Sequence, residues 1–296
     1  MQTVETLFIQ SGLLPSAVAT IMFGLGLALV PADFVRVLRF PRAVIVGLLV
    51  QTIVLVAVAF GITLAFALPP ALAVGLMLLA ASPGGALANI FSHLAEGDVA
   101  LNITLTAVNS VLALAWVPLV LDWSLEHFLG PGHYAPPPVQ KIVEVVAIIG
   151  LPVALGMIVR RLAPSFALRA QGPVRILSVV LLALVIGIAI LDAGARLLDH
   201  FAAVGLACLS FNLISMAIGY LAPRALGLPR RQAISIAFEI GVHNSAVAIY
   251  VALSVLQNEV VAIPTILYGL IQIATASLVV LVLRRRRTAL TAGSVT

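Results

Sequence analysis

Long apolar stretches are the feature of this sequence that most restricts its fold. Nine stretches reach the roughly 20 residues that a helix needs to cross the hydrocarbon core of a bilayer, and only short polar connections separate them. They are too long and continuous for the strands of a membrane β-barrel, which alternate with a period of two over about ten residues. The sequence therefore predicts an all-α polytopic membrane protein with nine transmembrane helices, spanning residues 12–31, 43–68, 70–94, 98–123, 138–159, 174–195, 201–222, 231–256 and 260–283.

The composition agrees with this class and excludes others. Hydrophobic residues make up 62% of the chain and charged residues 9%, whereas a soluble domain has about 25% charged residues. The net charge of +5 does not predict nucleic-acid binding, because the arginines form short clusters between apolar runs and no basic face with aromatic residues. The single cysteine, Cys208, lies in an apolar run, so we expect no disulfide framework, transition-metal site or cofactor.

The basic residues indicate an orientation. Fourteen of the sixteen Lys and Arg residues fall in alternate connections, on one side of the membrane, and only Lys141 and Arg196 fall on the other. Connections rich in Lys and Arg stay in the cytoplasm. We therefore predict a bacterial inner-membrane protein with its N-terminus outside and its C-terminus in the cytoplasm, where residues 288–296 are expected to form a disordered tail. The oligomeric state stays open.

Two of the nine spans contain helix-breaking residues. The third has Pro83 followed by two glycines, and the eighth has Gly241 two positions after a carboxylate, Glu239. Proline removes a backbone donor and glycine relaxes the backbone, so both spans are predicted to be broken. Because the two spans are five apart, they cross the membrane in opposite directions. Paired broken helices of opposite direction are typical of inverted-repeat transporters, whose ion and substrate sites lie at the breaks.

Polar residues inside the apolar spans are the candidate functional groups. A charge at the bilayer centre costs about 2.5–3.5 kcal/mol on insertion scales, so we favour a functional role for Glu239 over a structural carboxylate. In the fourth span Asn102, Thr106 and Asn109 share one helix face, because they are spaced i, i+4 and i+7. A cavity lining and a polar seam between helices predict the same pattern, and we favour the cavity. For Gln51, in the middle of the second span, interhelical hydrogen bonding and a site role remain equally open.

Four stretches also match a known family: IMFGLGLALVPADF (21–34), SPGGALANIFSHLAEGDVALNITLTAVNS (82–110), FNLISMAIGYL (211–221) and IAFEIGVHNSAVA (236–248). The second and fourth are the most specific. With them the chain resembles the bile acid:sodium symporter family over nearly its whole length, in the nine-helix form. The resemblance implies a sodium symporter that moves an organic anion, a bile acid or a smaller carboxylate, by alternating access. Residues 1–296 would form one transmembrane unit, with a panel domain from spans one, five and six and a core domain from the other six.

The resemblance further implies a substrate crevice between the two domains and two sodium sites behind the crossing of the broken spans. The first sodium site would use Asn89, Asn102, Thr106 and Glu239, with Ala88 standing where the bacterial pattern has serine. The second would use Gln51, Glu239, the carbonyls of Ile240 and Val242, and His243, where the pattern has glutamine. Substrate contacts are expected at Asn109, Asn244 and Ser245.

His243 leaves the coupling ion open. Sodium is a hard cation that prefers oxygen ligands, whereas imidazole nitrogen suits softer metals. Imidazole also changes charge near neutral pH, so a proton-coupled or sodium-independent carrier of a small carboxylate is the alternative. A channel is disfavoured because no filter sequence is present. An intramembrane enzyme is disfavoured because no HExxH or GxSxG motif is present. ATP-driven transport is disfavoured because the sequence contains no P-loop.

Overall fold

The computed structural model describes residues 12–130 and 139–293, and it is built from α-helices. We number them α1 (Leu13–Ala28), α2 (Pro31–Val35), α3 (Pro41–Leu49), α4 (Leu55–Ala65), α5 (Pro70–Ala81), α6 (Ala86–Leu94), α7 (Val99–Leu129), α8 (Val139–Leu162), α9 (Pro164–Ala225), α10 (Arg230–Gly241), α11 (Ser245–Tyr250) and α12 (Glu259–Gly293). Over these residues the only extended pairing is an isolated antiparallel bridge between Gly84 and His243. The predicted all-α class is confirmed.

Six helices of the described chain are long and apolar enough to cross a membrane on their own. A seventh span forms if α1 is joined to the Pro31–Leu38 segment, at which the helix axis bends by 71°. The six single spans are Pro41–Ala65, Val99–Leu129, Val143–Leu162, Pro164–Ile188, Ala202–Ala225 and Glu259–Arg285. The protein is thus an integral membrane protein with six or seven apolar spanning helices.

Several predicted boundaries differ from the structure. Helix α7 runs to Leu129, beyond the predicted end at 123, because no helix breaker occurs until Gly130, whose φ of 85° suits glycine. Helix α12 continues through Gly293, so 288–293 of the predicted disordered tail are helical. Alanine and leucine, which favour helix, make up three of these six residues. Residues 1–11, position 138 of the fifth predicted span and 294–296 lie outside the described residues.

Helix α9 contains two predicted spans, 174–195 and 201–222, in one run of 62 residues. At about 1.5 Å per residue, a straight helix of this length would be about twice as long as a bilayer is thick, about 40–45 Å. Two separate parts of α9, Pro164–Ile188 and Ala202–Ala225, meet the criteria for a span. The expected connection between them is helical because its sequence, DAGARLLDH, has one glycine and no proline.

The two spans with helix-breaking residues are interrupted as predicted. In the third span α5 ends at Ala81 and α6 begins at Ala86, and in the eighth α10 ends at Gly241 and α11 begins at Ser245. Every residue from Leu72 to Ala81 is buried, as is every residue of α11. A helix that is apolar all round belongs inside a bundle. The breaks therefore lie in the interior of the protein, surrounded by other helices.

Candidate functional site

The backbones of the two breaks pair with each other. The amide of Gly85 donates to the carbonyl of Val242 over 3.0 Å, and the amide of Asn244 donates to the carbonyl of Pro83 over 2.9 Å. Unwound backbone in an apolar interior needs such partners, because unpaired buried amides and carbonyls are costly. The side chain of Asn244 also caps the next helix by accepting from the amide of Val247 over 3.4 Å. The crossing is thus held together by the main chain.

The Glu239 side chain is fully buried beside this crossing. Its Oε2 accepts hydrogen bonds from Thr106 Oγ1 at 2.6 Å and Asn102 Nδ2 at 2.9 Å, and its Oε1 accepts one from Asn109 Nδ2 at 3.1 Å. The three donors are neutral and come from one face of α7, as their spacing predicts. A buried charge is costly unless it is paired. The site is therefore suited to hold a cation against the carboxylate.

The backbone of Gly84 lies against this carboxylate. A Cβ atom on Gly84 would overlap the Oε1, Cδ and Oε2 atoms of Glu239. The third span can thus bring its broken backbone against Glu239 only with glycine at this position.

Most residues of the first predicted cation site are joined by hydrogen bonds. Asn102 Nδ2 bonds Asn89 Oδ1 over 3.1 Å as well as Glu239, and Thr106 bonds the same carboxylate. Asn102 Oδ1 is buried and has no hydrogen-bond partner among the described residues. Ala88 is fully buried and offers no side-chain oxygen. The other four side chains carry oxygen atoms, the ligands that a hard cation such as sodium would prefer.

Two side chains of the second predicted cation site, Gln51 and His243, contact the same backbone oxygen, that of Ser82. Gln51 Nε2 donates to the carbonyl of Ser82 over 3.1 Å, and to that of Ala80 over 3.3 Å. His243 Nδ1 lies 3.0 Å from the same Ser82 oxygen. A carbonyl oxygen only accepts, so Nδ1 carries the hydrogen that points at Ser82.

Other contacts of the second group involve the backbone and two aromatic rings. Two N–H donors point at the Ser82 carbonyl, and the carbonyl of Val242 accepts from Gly85. The described side chains that donate to Glu239 are Asn102, Thr106 and Asn109. The ring of His243 is packed between Phe211 and Tyr268, with centroid distances of 5.8 and 5.5 Å. The second cation site stays a prediction.

The residues expected to bind substrate lie in three different surroundings. Asn244 lines a crevice next to His243 and Gly85, and Asn109 lines a separate small cavity with Gln51. Ser245 is fully buried and its Oγ lies 3.3 Å from Gln272 Nε2, which donates to it. Of the three, only Asn244 faces the crevice.

The structure adds a polar network that the sequence pattern did not single out. Asn212 Nδ2 and Tyr268 Oη both donate to the carbonyl of Gly241, over 2.8 and 2.9 Å. Thr275 Oγ1 donates to Asn212 Oδ1 over 2.6 Å. These bonds satisfy the last carbonyl of α10, two residues from Glu239, so they stabilise the break. In the sequence the three residues are polar positions within apolar runs.

Comparison with known proteins identifies one family. The model of the sodium bile acid symporter family matches residues 15–200. The uncharacterized sodium-dependent transporter YocS of Bacillus subtilis is 27% identical over 227 residues, which cover 76% of this chain and 68% of YocS. The human P3 protein is 32% identical over 218 residues, 72% of this chain but only 44% of P3. The human ileal sodium/bile acid cotransporter is 26% identical over 274 residues, 90% of this chain and 77% of that protein.

The family match covers more than half of the chain, and it includes the first break and the polar face of α7. Several of the relatives are named as sodium-dependent transporters or cotransporters of bile acids or metabolites. The chain belongs to the sodium bile acid symporter family.

Proposed function

We propose that the protein is a secondary active symporter that moves an organic anion together with sodium by alternating access. The observation that carries the proposal is Glu239, which is fully buried at the crossing and, within the described residues, is bonded by neutral donors. Buried carboxylates inside a membrane bundle mark ion pathways. Asn89, Asn102 and Thr106 would complete the oxygen ligands of the cation.

Nine membrane crossings follow if each broken span counts as one. The six single helices and the bent first span make seven. The α5–α6 pair and the α10–α11 pair, extended by the π-helical turn Val251–Val255, consist of pieces too short to cross alone, and they add two. Discontinuous helices of this kind surround the sites of inverted-repeat transporters.

Close helix contacts support the division into a panel and a core. Within the proposed panel, a Cβ on Gly26 would collide with the Val153 backbone, so α1 and α8 touch main chain to main chain. Within the proposed core, Gly75 of α5 is equally close to the carbonyl of Val261 in α12. Small residues that let backbones approach are the usual basis of tight helix packing in membranes. Each domain would thus move as a packed unit, with the crevice at Asn244 between them.

The chain itself can couple the cation to the substrate. Glu239 lies at the end of α10, and only four residues separate it from Asn244 at the edge of the crevice. A cation held by Glu239 and the α7 side chains would fix this end of α10 and, through the paired backbones, the position of Asn244. Sodium would in this way organise the substrate crevice before the domains move. The arginine-rich connections would face the cytoplasm, as in a bacterial inner membrane.

His243 favours a second candidate, a carrier with weaker sodium coupling or with proton coupling. Its Nδ1–H donates to the Ser82 carbonyl, where the second predicted cation site would need an oxygen ligand. A proton-coupled or sodium-independent carrier of a small carboxylate is therefore the alternative to a symporter with two sodium ions.

Reconstitution of the purified full chain into liposomes tests the proposal. An inward sodium gradient should drive saturable uptake of cholate or of a short carboxylate, and a matched potassium gradient should not. Uptake driven equally by a proton gradient without sodium would favour the second candidate. Flux that does not saturate would indicate a channel, and a chemically altered substrate inside the vesicles would indicate an enzyme; either result contradicts the symporter.

A further inference from the structure

The crevice at the crossing has one charged side chain in its wall. Arg175 and Ser178, both on α9, line it together with His243 and Asn244 of the second break. The other lining side chains are mainly apolar, among them Ile21 and Leu87. The crevice thus combines one cationic side chain with an apolar surface and a few other polar groups.

Arg175 is free to meet a ligand. It is exposed, and the described part of the chain gives it no carboxylate partner. Ser178 lies three residues later, about 4.5 Å further along the helix axis, so both side chains face the same side. The Ser178 Oγ is buried, at 6% exposure, and has no hydrogen-bond partner in the described structure. A guanidinium with a nearby spare hydroxyl is a donor pair suited to a carboxylate.

The crevice offers no partner to a second negative charge. Arg175 is the one arginine or lysine among the described residues that line it. A second carboxylate would be buried against mainly apolar side chains without a cation beside it, which is costly. The ligand that suits the crevice therefore carries a single carboxylate.

The cavity is small, with a volume of about 30 Å³. A void of this size holds about two water-sized groups, given that one water needs about 10–15 Å³. A short aliphatic chain needs only a small separation of the two walls, whereas a steroid nucleus would need the panel and core to move far apart. The size favours a short ligand over a bile acid.

We propose that Arg175 is the anion anchor of the transported substrate and that this substrate is a short aliphatic monocarboxylate. The proposal rests on the proposed symporter function and specifies its substrate class. The carboxylate binds Arg175 and the Ser178 hydroxyl, and the aliphatic part packs on Ile21 and Leu87. Arg175 acts on the ligand and takes no part in holding the cation.

Removing the charge from either the protein or the ligand tests this assignment. Isovalerate and its uncharged isostere isovaleramide are titrated into the detergent-purified full chain in sodium, together with the dicarboxylate glutarate. The wild type should bind isovalerate about tenfold more tightly than isovaleramide, the lower end expected for a charged hydrogen bond. Arg175→Gln should bind the two equally, and Arg175→Lys should keep part of the preference. Glutarate should bind the wild type more weakly than isovalerate.

Arg169→Gln is the matched control, because Arg169 is also exposed and lies on α9 but does not line the crevice. It should keep the wild-type preference. Sodium alone should raise the melting temperature of Arg175→Gln as much as that of the wild type, which shows that the variant is folded and its cation site intact.

Three results would overturn the assignment: a wild type without preference for isovalerate, an Arg175→Gln variant that keeps it, or tighter binding of glutarate. These results are independent of the proposed symport. Sodium-driven uptake of cholate by the wild type with no binding of isovalerate would uphold the symporter and refute the short-carboxylate substrate. Charge-dependent binding without any sodium-driven uptake would uphold the anchor and refute the symporter.

Discussion

Replacement of Gly84 by alanine should remove cation binding without removing any cation ligand. The position of an added Cβ is occupied by the Glu239 carboxylate. The φ angle of Gly84 lies outside the left-handed region, so alanine can adopt the same backbone. The strain must then be relieved by moving the carboxylate, because the Gly84 backbone is tied into the paired crossing.

The size of the effect follows from the hydrogen bonds of Glu239. Contact between a methyl carbon and carboxylate atoms at about 3.5 Å requires a shift of about 1 Å. Such a shift breaks or distorts the 2.6 Å bond from Thr106 and the 2.9 Å bond from Asn102, because hydrogen bonds weaken beyond about 3.2 Å. Each bond to a charged group contributes about 1.5–3 kcal/mol. A displaced carboxylate that loses interaction of this size with the cation, about 3 kcal/mol, lowers the sodium affinity about 100-fold.

The assay is the sodium dependence of the melting temperature of the purified protein, measured without substrate. Gly85→Ala is the control, because the nearest atom to its added Cβ is the His243 carbonyl oxygen at 3.5 Å, an ordinary contact. Gly84→Ala should need about 100-fold more sodium for half of the stabilisation, while Gly85→Ala stays within a few-fold of wild type. Equal sodium midpoints for all three proteins would refute the reasoning that the carboxylate beside Gly84 holds the cation.

Further variants separate ion binding from packing. Glu239→Ala should insert normally and lose sodium-driven uptake; wild-type uptake would make Glu239 purely structural. Asn102→Leu and Thr106→Val should weaken sodium dependence more than Asn212→Leu, since Asn212 bonds the Gly241 carbonyl and not the carboxylate; equal effects in uptake assays would indicate a generic packing seam. His243→Gln frees the Ser82 carbonyl from the imidazole N–H, so sodium activation should steepen from a Hill coefficient near one towards two; an unchanged sodium curve would contradict a role for His243 in ion number.

The helix breaks and the polar face of α7 could be predicted because each depends on local sequence. Pro83 and its glycines end α5 by removing a backbone donor and adding freedom. The i, i+4, i+7 spacing places Asn102, Thr106 and Asn109 on one face whatever surrounds the helix. The structure shows all three on the carboxylate of Glu239. Residues with this spacing share a face wherever the helix stays α-helical.

The position of Gln51 could not be read from local sequence. It lies in a π-helical turn, Val50–Val54, that joins α3 to α4. Such a turn shifts the register of the residues after it, so a side chain no longer points where 3.6 residues per turn would place it. Gln51 reaches the Ser82 carbonyl of the neighbouring span instead of the carboxylate of Glu239. The packing of Gln51 against the third span thus determines which groups its side chain contacts.

The continuity of α9 and the crevice residue Arg175 show a second limit. Charged residues between two apolar runs usually mark a connection, but in α9 the helix continues through residues 192–200, which contain no proline. The number of arginines in each connection was enough to predict the orientation of the chain in the membrane. Which arginine lines a crevice depends on how α9 packs against the crossing, and spacing along the sequence does not contain that information.

The bonds of Glu239 also indicate which contact would transmit cation binding. The three side chains that donate to the carboxylate within the described structure belong to α7, not to the α3–α4 span that carries Gln51. A cation at Glu239 would therefore tie α10 to α7 and to Asn89 on α6, which Asn102 already contacts. Helix α6 begins just after Gly85, whose amide bonds the carbonyl of Val242 in the opposite break. The cation would thus brace both broken spans from one side, and the face of the crossing that bears Asn244 is left for the substrate.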